Sequence, residues 1–373
     1  MLIQLNVFLS LAISFSIAFF IIPKIIKVSR IKNLFDVPNH RSAAKHVVPT
    51  LGGIAIYAGF RMGQVISLNS YNTNELKYLS AGILIMFLIG MKDDLVGIAA
   101  KTKLLIQVLT ASYLVILGHF RITNLHGIMG IDEIGYFAGV ILSIIIIVGI
   151  INSLNLIDGI DGLASGVGIL ISVVLGLLFL NGGDLIYALS CFSLTGSLIA
   201  FFLYNVFGTK NKIFMGDTGS LVLGIIVAIL IIHFNEFIPV SNHVIYGSPA
   251  IALVIIIVPV VDTLRVFAIR IRQKKSPFSP DMSHIHHQLL RVTGNHLYTS
   301  LIIISVNMIL ILISFSLVDI LESSTLFFLL LITGFLLANV PSWILKFLKR
   351  DQEVVKESKS ILAYTIFLKK EKE

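Results

Sequence analysis

The sequence predicts an all-α, polytopic integral membrane protein, and three observations carry that reading. Charged residues occupy only 13% of the 373 positions, about half of the roughly 25% usual in soluble domains. The mean hydropathy of +0.96 is spread along the chain, with apolar runs of bilayer-spanning length recurring up to about residue 345. Those runs are continuous, as over residues 140–151, whereas a membrane barrel strand would alternate apolar and polar positions.

Eleven spans follow in order, at about residues 3–22, 51–68, 78–91, 104–119, 135–151, 163–180, 185–204, 219–234, 249–269, 298–318 and 324–345. Most have the length a helix needs to cross about 30 Å of hydrocarbon, and the third is short. The first begins almost at Met1, with neither a basic leader nor a small-residue cleavage site, and is expected as a retained helix. Residues 1–345 are expected as one multi-span domain with functional loops. Residues 346–373 form a basic tail, expected either as an amphipathic helix at the interface or as a disordered segment. The single cysteine, Cys191, lies inside an apolar run, so there is no disulfide framework.

Lysine and arginine positions set the orientation. With the N-terminus outside and the C-terminus cytoplasmic, seventeen of the twenty Lys and Arg before the tail are cytoplasmic, and only Arg61, Lys77 and Arg121 are not. The reverse orientation inverts that ratio, so positive-inside favours the first. The net charge of +8 is then mostly a topology signal. Basic residues that flank spans form no single face, which argues against nucleic acid and for anionic lipid or an anionic substrate.

This topology places five polar clusters on the cytoplasmic side. The first, "DVPNHRSAAKHVVPTLGG" (36–53), joins Arg41, Lys45 and His46 to prolines and paired glycines; an ordinary basic loop explains it equally well. The second, "KDDLVGIAAKTK" (92–103), pairs Asp93 with Asp94 ahead of Lys101 and Lys103. Adjacent carboxylates imply a raised pKa or a shared cation, although either could simply cap the next helix. In the third, "NSLNLIDGIDGL" (152–163), Asn152, Asn155 and Asp158 recur every three residues, and two Asp-Gly steps mark turns where backbone can approach a ligand. Carboxylate and amide oxygens suit a hard cation such as Mg²⁺ with substrate phosphates. A turn-rich loop explains the glycines but not the asparagines.

The fourth, "FMGDTGSLVLG" (214–224), sets Asp217 between glycines at a helix start that favours an anion. The fifth, "SPDMSHIHHQLLRVTG" (279–294), holds His284, His286, His287 and Arg291. A zinc site is one reading, but no cysteine is near and Asp281 is the one carboxylate; binding of a sugar or diphosphate is the other. Asp262, inside the ninth span and followed by Arg265, is either functional or a structural ion pair. Of the fifteen acidic residues before the tail, eight are cytoplasmic and seven of these lie in the five clusters. They are expected to line one site for a phosphorylated ligand.

The ordered set "DVPNHR…KHVVPTLGG", "KDDLVG", "NSLNLIDGIDGL", "FMGDTGS" and "SHIHHQLL" resembles the polyprenyl-phosphate N-acetylhexosamine-1-phosphate transferases, of the glycosyltransferase family 4 type. The motifs cover residues 36–291, and the combination is specific. The resemblance implies transfer of a sugar-1-phosphate, with GlcNAc-1-phosphate favoured, from a UDP-N-acetylhexosamine to polyprenyl (undecaprenyl) phosphate. UMP is released, Mg²⁺ is the cofactor with Mn²⁺ as a substitute, and the enzyme sits in the inner or plasma membrane; a homodimer is compatible with it. "HIHHQLL" resembles the branch that starts O-antigen, common-antigen or teichoic-acid glycans. The peptidoglycan branch carries three consecutive histidines before an acidic residue, although "PTLGG" is closer to that branch. A lipid-glycan or nucleotide-sugar transporter is the competing class.

Carried over residue by residue, the resemblance makes Asn155 and Asp217 the metal ligands. Asp93 and Asp94 become the catalytic pair, with Lys103 touching phosphate. Asn152, Asp158 and Asp161 hold the nucleotide, and His284, His286, His287 and Arg291 shape the sugar and diphosphate end. Asn39, Arg41, His46, Gly216 and Ser220 complete the substrate-binding set.

Overall fold

The structure, a computed structural model, describes residues 2–32, 34–35, 48–68, 76–237, 248–276 and 283–370, with side chains up to residue 348. Among these residues the chain runs through α1 (Leu2–Ile31), α2 (Gly52–Ser67), α3 (Leu76–Val96) and α4 (Ala100–Ile116) to a hairpin, β1 (Asn124–Ile128) and β2 (Ile131–Glu133). It continues through α5 (Tyr136–Ile157), α6 (Leu163–Gly182), α7 (Leu185–Val206), α8 (Gly216–Glu236) and α9 (Pro249–Ile255). The last helices are α10 (Ile257–Arg272), α11 (Ile285–Thr293), α12 (His296–Leu317) and α13 (Ser323–Lys370). Among the described residues the fold is therefore all-α apart from one hairpin.

Each expected apolar segment except the ninth occurs as a single helix. Seven are individually long and apolar enough to cross a membrane: α1, α5, α6, α7, α8, α12 and the Ser323–Leu348 part of α13. Helices α2 and α4, at 16 and 17 residues, are shorter, and α3 carries Lys77, Lys92, Asp93 and Asp94 at its ends. The ninth segment, expected as one span, is broken: α9 and α10 meet at 81°. Pro259 has no N–H to donate to the Ile255 carbonyl four residues back, which opens the helical ladder there. Asn307 of α12 takes the vacated acceptor, its Nδ2 donating to Ile255 O at 3.2 Å. The last helix continues through residue 345 to Lys370, with Pro341 inside it.

Helix α8 is the buried axis, with both apolar and small residues covered along almost its whole length. Helices α2, α3, α5 and α6 pack on it, and α1 and α7 pack together beyond α2. Without a hydrophobic drive between helices in lipid, small residues and hydroxyls make such contacts. Ser10 of α1 donates to Leu189 O at 2.6 Å, and Gln64 of α2 donates to Ser190 Oγ at 2.8 Å. The perimeter exposes large apolar side chains, among them Phe8, Phe20, Ile141, Ile145, Ile309 and Ile332. Aliphatic side chains facing outward are what a lipid solvent requires.

Alternating helix directions sort the polar groups to the two ends of the bundle. At one end the hairpin is tied down: Glu236, at the end of α8, accepts from Thr123 N at 3.0 Å, and Ser324, at the start of α13, donates to Gly127 O at 3.0 Å. The other end gathers the close of α3 and α5 with the start of α4 and α8.

Candidate active site

At that second end the chain folds around a cavity of about 440 Å³ lined by Phe35, Thr50, Asp93, Asp94, Asn155, Asp158, Gly216, Asp217 and Ser220. Four of the five sequence clusters thus supply eight of the nine lining residues, the first of them through Thr50. Asp93 and Asp94 lie beyond the apolar part of α3, where neighbouring side chains on a helix diverge by about 100°. The two carboxylates accordingly do different things. Asp93 turns toward α4, accepting from Ile98 N at 2.7 Å and Lys103 Nζ at 2.8 Å. Asp94 turns toward α8 and meets its unsatisfied first turn, accepting from Asp217 N (2.8 Å), Thr218 N (2.9 Å) and Thr218 Oγ1 (2.5 Å). A carboxylate at a helix start satisfies orphan N–H groups and opposes the positive end of the dipole. Asp94 therefore also fixes the position of Asp217.

Asp217 is the meeting point. Its Oδ1 accepts from Lys103 Nζ at 2.5 Å and from Asn155 Nδ2 at 2.6 Å, and Asn155 also donates to Ser220 Oγ at 2.8 Å. One lysine thus bridges two carboxylates from different helices. Burial alone would lower its pKa, but Asp217 and Asp93 outweigh that and hold the ammonium above its usual value. Burial pushes the Asp94 carboxyl up to about 6, against the hydrogen bonds from Thr218 and Asp217. Desolvation, then Asp217, Asp94 and Asp161, raise Asp158 well above the carboxylate range. Two carboxylates, those of Asp93 and Asp217, thus share the one Lys103 ammonium.

The backbone before Asp217 allows this geometry only with glycine. Gly216 has φ +70, and a Cβ there would lie 2.1 Å from Thr50 O and 2.7 Å from Asp94 Oδ2. Gly216→Ala is expected to add about 1–3 kcal/mol of backbone strain before any clash is counted. It should lower both the thermal midpoint in detergent and the activity of the purified protein, and wild-type values for both would contradict the assignment.

The remaining sequence candidates divide. Asn152 is about one helical turn from Asn155 but faces α4, its Nδ2 donating to Gln107 Oε1 there at 2.7 Å and to Val148 O of its own helix at 2.8 Å. It is paired between helices and does not line the cavity. Asp161 pairs with Lys212 Nζ at 2.6 Å and His296 Nδ1 at 3.0 Å. Burial would raise its pKa, but His296 and Lys212 prevail and lower it. It ties the loop after α5 to the start of α12 and to the segment before α8. His284 and His286 are buried at the start of α11, with His287 following and Arg291 in its last turn. The His286 ring abuts Gly159: a Cβ there would meet its Nε2 at 2.6 Å. The fifth cluster is thereby brought against the third. Burial and His287 depress the His286 pKa to about 3, so its ring is neutral. Asn39, Arg41, His46 and Asp281 lie outside the described residues.

Sequence reasoning missed Gln107, Lys212 and His296 as partners of the polar clusters, and Phe35 as a cavity wall; Thr50 fell within the first cluster but was not singled out. Lys212 carried a signal, as a basic residue five positions before Asp217. His296 carried none.

An all-α bundle of apolar helices whose ends converge on an aspartate-lined, lysine-bridged cavity has the build of a membrane-embedded enzyme for a polyanionic substrate. Residues 76–235 match the family described as Glycosyl transferase family 4. The chain is 30% identical over 275 residues, 71% of each chain, to undecaprenyl-phosphate alpha-N-acetylglucosaminyl 1-phosphate transferase of Escherichia coli K12. It is 31% identical over 285 residues to a probable undecaprenyl-phosphate N-acetylglucosaminyl 1-phosphate transferase of Bacillus subtilis, covering 76% of this chain and 77% of that one. The Yersinia pestis alpha-N-acetylglucosaminyl enzyme is 28% identical over 281 residues, 74% of each chain. The chain belongs to glycosyl transferase family 4.

Proposed function

We propose that the protein transfers N-acetylhexosamine-1-phosphate, with GlcNAc-1-phosphate the favoured group, from a UDP-sugar to undecaprenyl phosphate. In this reaction an acceptor phosphate oxygen bonds to the β-phosphorus of the donor. The bond from that phosphorus to the bridging oxygen breaks, and UMP leaves with the electron pair. The observation that carries the proposal is the cavity itself, where Asp93 and Asp217 hold the Lys103 ammonium between them and Asn155 joins Asp217. The names of the relatives support the substrates and favour the N-acetylglucosamine branch over the peptidoglycan one.

The donor set fits Mg²⁺. Among the described residues no three His, Cys, Asp or Glu side chains converge as a ready ligand set. Mg²⁺ asks for less than that: one or two carboxylates, waters and substrate phosphates. Asp217 and the Asn155 amide oxygen would hold it, with Mn²⁺ as a substitute, and Asp217 already attracts a cation in Lys103. When bound, the metal neutralises the diphosphate and stabilises the leaving phosphate.

The protein's own residues position the reactants. A phosphate monoester has its second pKa near 6, so at neutral pH the acceptor is mostly a dianion and nucleophilic without a general base. Asp93 orients Lys103, whose ammonium can follow a phosphate oxygen as charge moves from acceptor to leaving group. A carboxylate attack by Asp93 or Asp94 on the diphosphate is disfavoured by the neighbouring carboxylates, so direct attack by the acceptor is the proposed route. The transporter reading needs a binding site near mid-membrane in a broken helix. The broken helix here places its break among Ile255, Ile256 and Ile257, closed by Asn307.

The reading is tested by incubating detergent-purified protein with radiolabelled UDP-N-acetylhexosamines, undecaprenyl phosphate and Mg²⁺. Label should pass to a lipid-extractable product with equimolar UMP, should cease with excess chelator, and should return with Mg²⁺ or Mn²⁺. Absence of lipid-borne label with every donor would refute it.

The site is further proposed to face the cytoplasm of the plasma membrane, on the distribution of lysine and arginine. Cys191 is buried, so introduced cysteines report alone. Thr209→Cys, exposed at the active-site end, should react with an impermeant thiol reagent only after cells are opened. Met129→Cys, 73% exposed in the hairpin at the other end, should react in intact cells. The reverse pattern would invert the topology.

A further inference from the structure

The buried carboxylate of Asp262 has no part in the chemistry above, yet it organises the histidine segment. Asp262 is 1% exposed on α10. Its Oδ2 accepts from His284 Nδ1 at 2.9 Å, and its Oδ1 accepts from Ile285 N at 3.0 Å and Arg265 Nη2 at 3.1 Å. Arg265 Nη2 also donates to Ser283 O, closing the loop on the other side. An ionised carboxylate only accepts, so His284 carries a hydrogen on Nδ1, and as a neutral ring it presents a bare Nε2. The same carboxylate caps the first turn of α11. It thereby sets where that helix starts, and with it the register that lays His286 against Gly159, next to Asp158 in the cavity wall.

A second observation points to a ligand. His286 is 1% exposed, and neither ring nitrogen has a partner among the described residues. Arg265, 4% exposed, likewise has Nε and Nη1 without partners among them. Unpaired buried donors and acceptors are destabilising, and a polar ligand arriving beside them would relieve that penalty.

We propose that Asp262 is a positioning residue for the donor substrate, acting through His284 by fixing its tautomer and the start of α11. The proposal rests on the transferase reading. Its test compares wild type, Asp262→Asn, His284→Ala and the double variant, with kcat and KM measured separately for UDP-sugar and for undecaprenyl phosphate. Asparagine keeps the size of the side chain but offers an N–H to His284, which reverses the tautomer.

Loss of such an orienting partner typically lowers activity about 10–100-fold. That loss is expected in kcat/KM for the donor, with the acceptor KM within about twofold of wild type and the double variant no worse than the weaker single variant. Multiplicative losses in the double variant, or wild-type donor kinetics in Asp262→Asn, would overturn the proposal. A second readout needs no folded Asp262 variant: ¹⁵N-histidine NMR of the wild type, with His284→Ala for assignment. A proton on Nδ1 and none on Nε2 supports the proposal, and a proton on Nε2, in either the opposite tautomer or the imidazolium, overturns it. If wild type shows no turnover the transferase reading fails, while the tautomer still decides this inference.

Discussion

Asp217→Asn is expected to lower the turnover of the purified enzyme by about 10²–10³-fold, equivalent to about 3–4 kcal/mol of transition-state stabilisation. The substitution preserves volume and most hydrogen-bonding capacity, so the fold should survive with its thermal midpoint close to wild type. What it removes is the charge at the point where Lys103 and Asn155 converge, 2.5 and 2.6 Å from one carboxylate oxygen. An amide there can meet Lys103 only through its oxygen and no longer attracts a metal electrostatically. Initial rates over a Mg²⁺ titration check the claim. A variant retaining more than about a tenth of wild-type turnover at saturating Mg²⁺ would fall outside that range and contradict the central role of Asp217.

Asp94→Ala should be the most damaging change to the scaffold of the site. It leaves two backbone N–H groups and a hydroxyl of α8 without their acceptor, at about 1–3 kcal/mol for each group left buried and unpaired. The start of α8 should loosen and carry Asp217 with it, so both thermal midpoint and turnover fall together. Asp93→Ala is expected to differ. It removes contacts to Lys103 and Ile98 while the start of α8 stays capped, so turnover should fall with a smaller change in melting. Differential scanning of the two variants in one detergent, beside their rates, separates the roles. Equal melting losses would show that the adjacent aspartates act as a single unit.

That division of labour shows where the sequence was legible and where it was not. The apolar runs became helices because spacing and composition are local properties, and the Asp-Gly and Gly-Asp steps marked helix ends for the same reason. Asp93, Asp94, Asn155, Asp158, Gly216, Asp217 and Ser220 were readable as one cavity because charge placed them at one end of the spans. Which neighbour each side chain meets is a rotational matter that spacing does not settle. Asn152 and Asn155 lie on one rough face, yet one reaches Gln107 on α4 and the other Asp217 on α8. Asp262 was visible as a carboxylate inside a span, while its partner His284 stands 22 positions further along the sequence. The break at Ile256 was foreshadowed by Pro259, but its closure by Asn307 depends on a helix about fifty residues further along.

The most direct test of the account follows the β-phosphate. Purified protein is incubated with Mg²⁺ and UDP-GlcNAc labelled with ³²P at the β position, first without lipid and then with undecaprenyl phosphate. UMP and label are tracked in the aqueous, lipid and denatured-protein fractions. Direct attack at the Asp217 cavity predicts no UMP and no protein-bound label until the lipid is added, and then equimolar UMP and labelled lipid. Stoichiometric label held on the protein before lipid addition, and passed to the lipid afterwards, would contradict it.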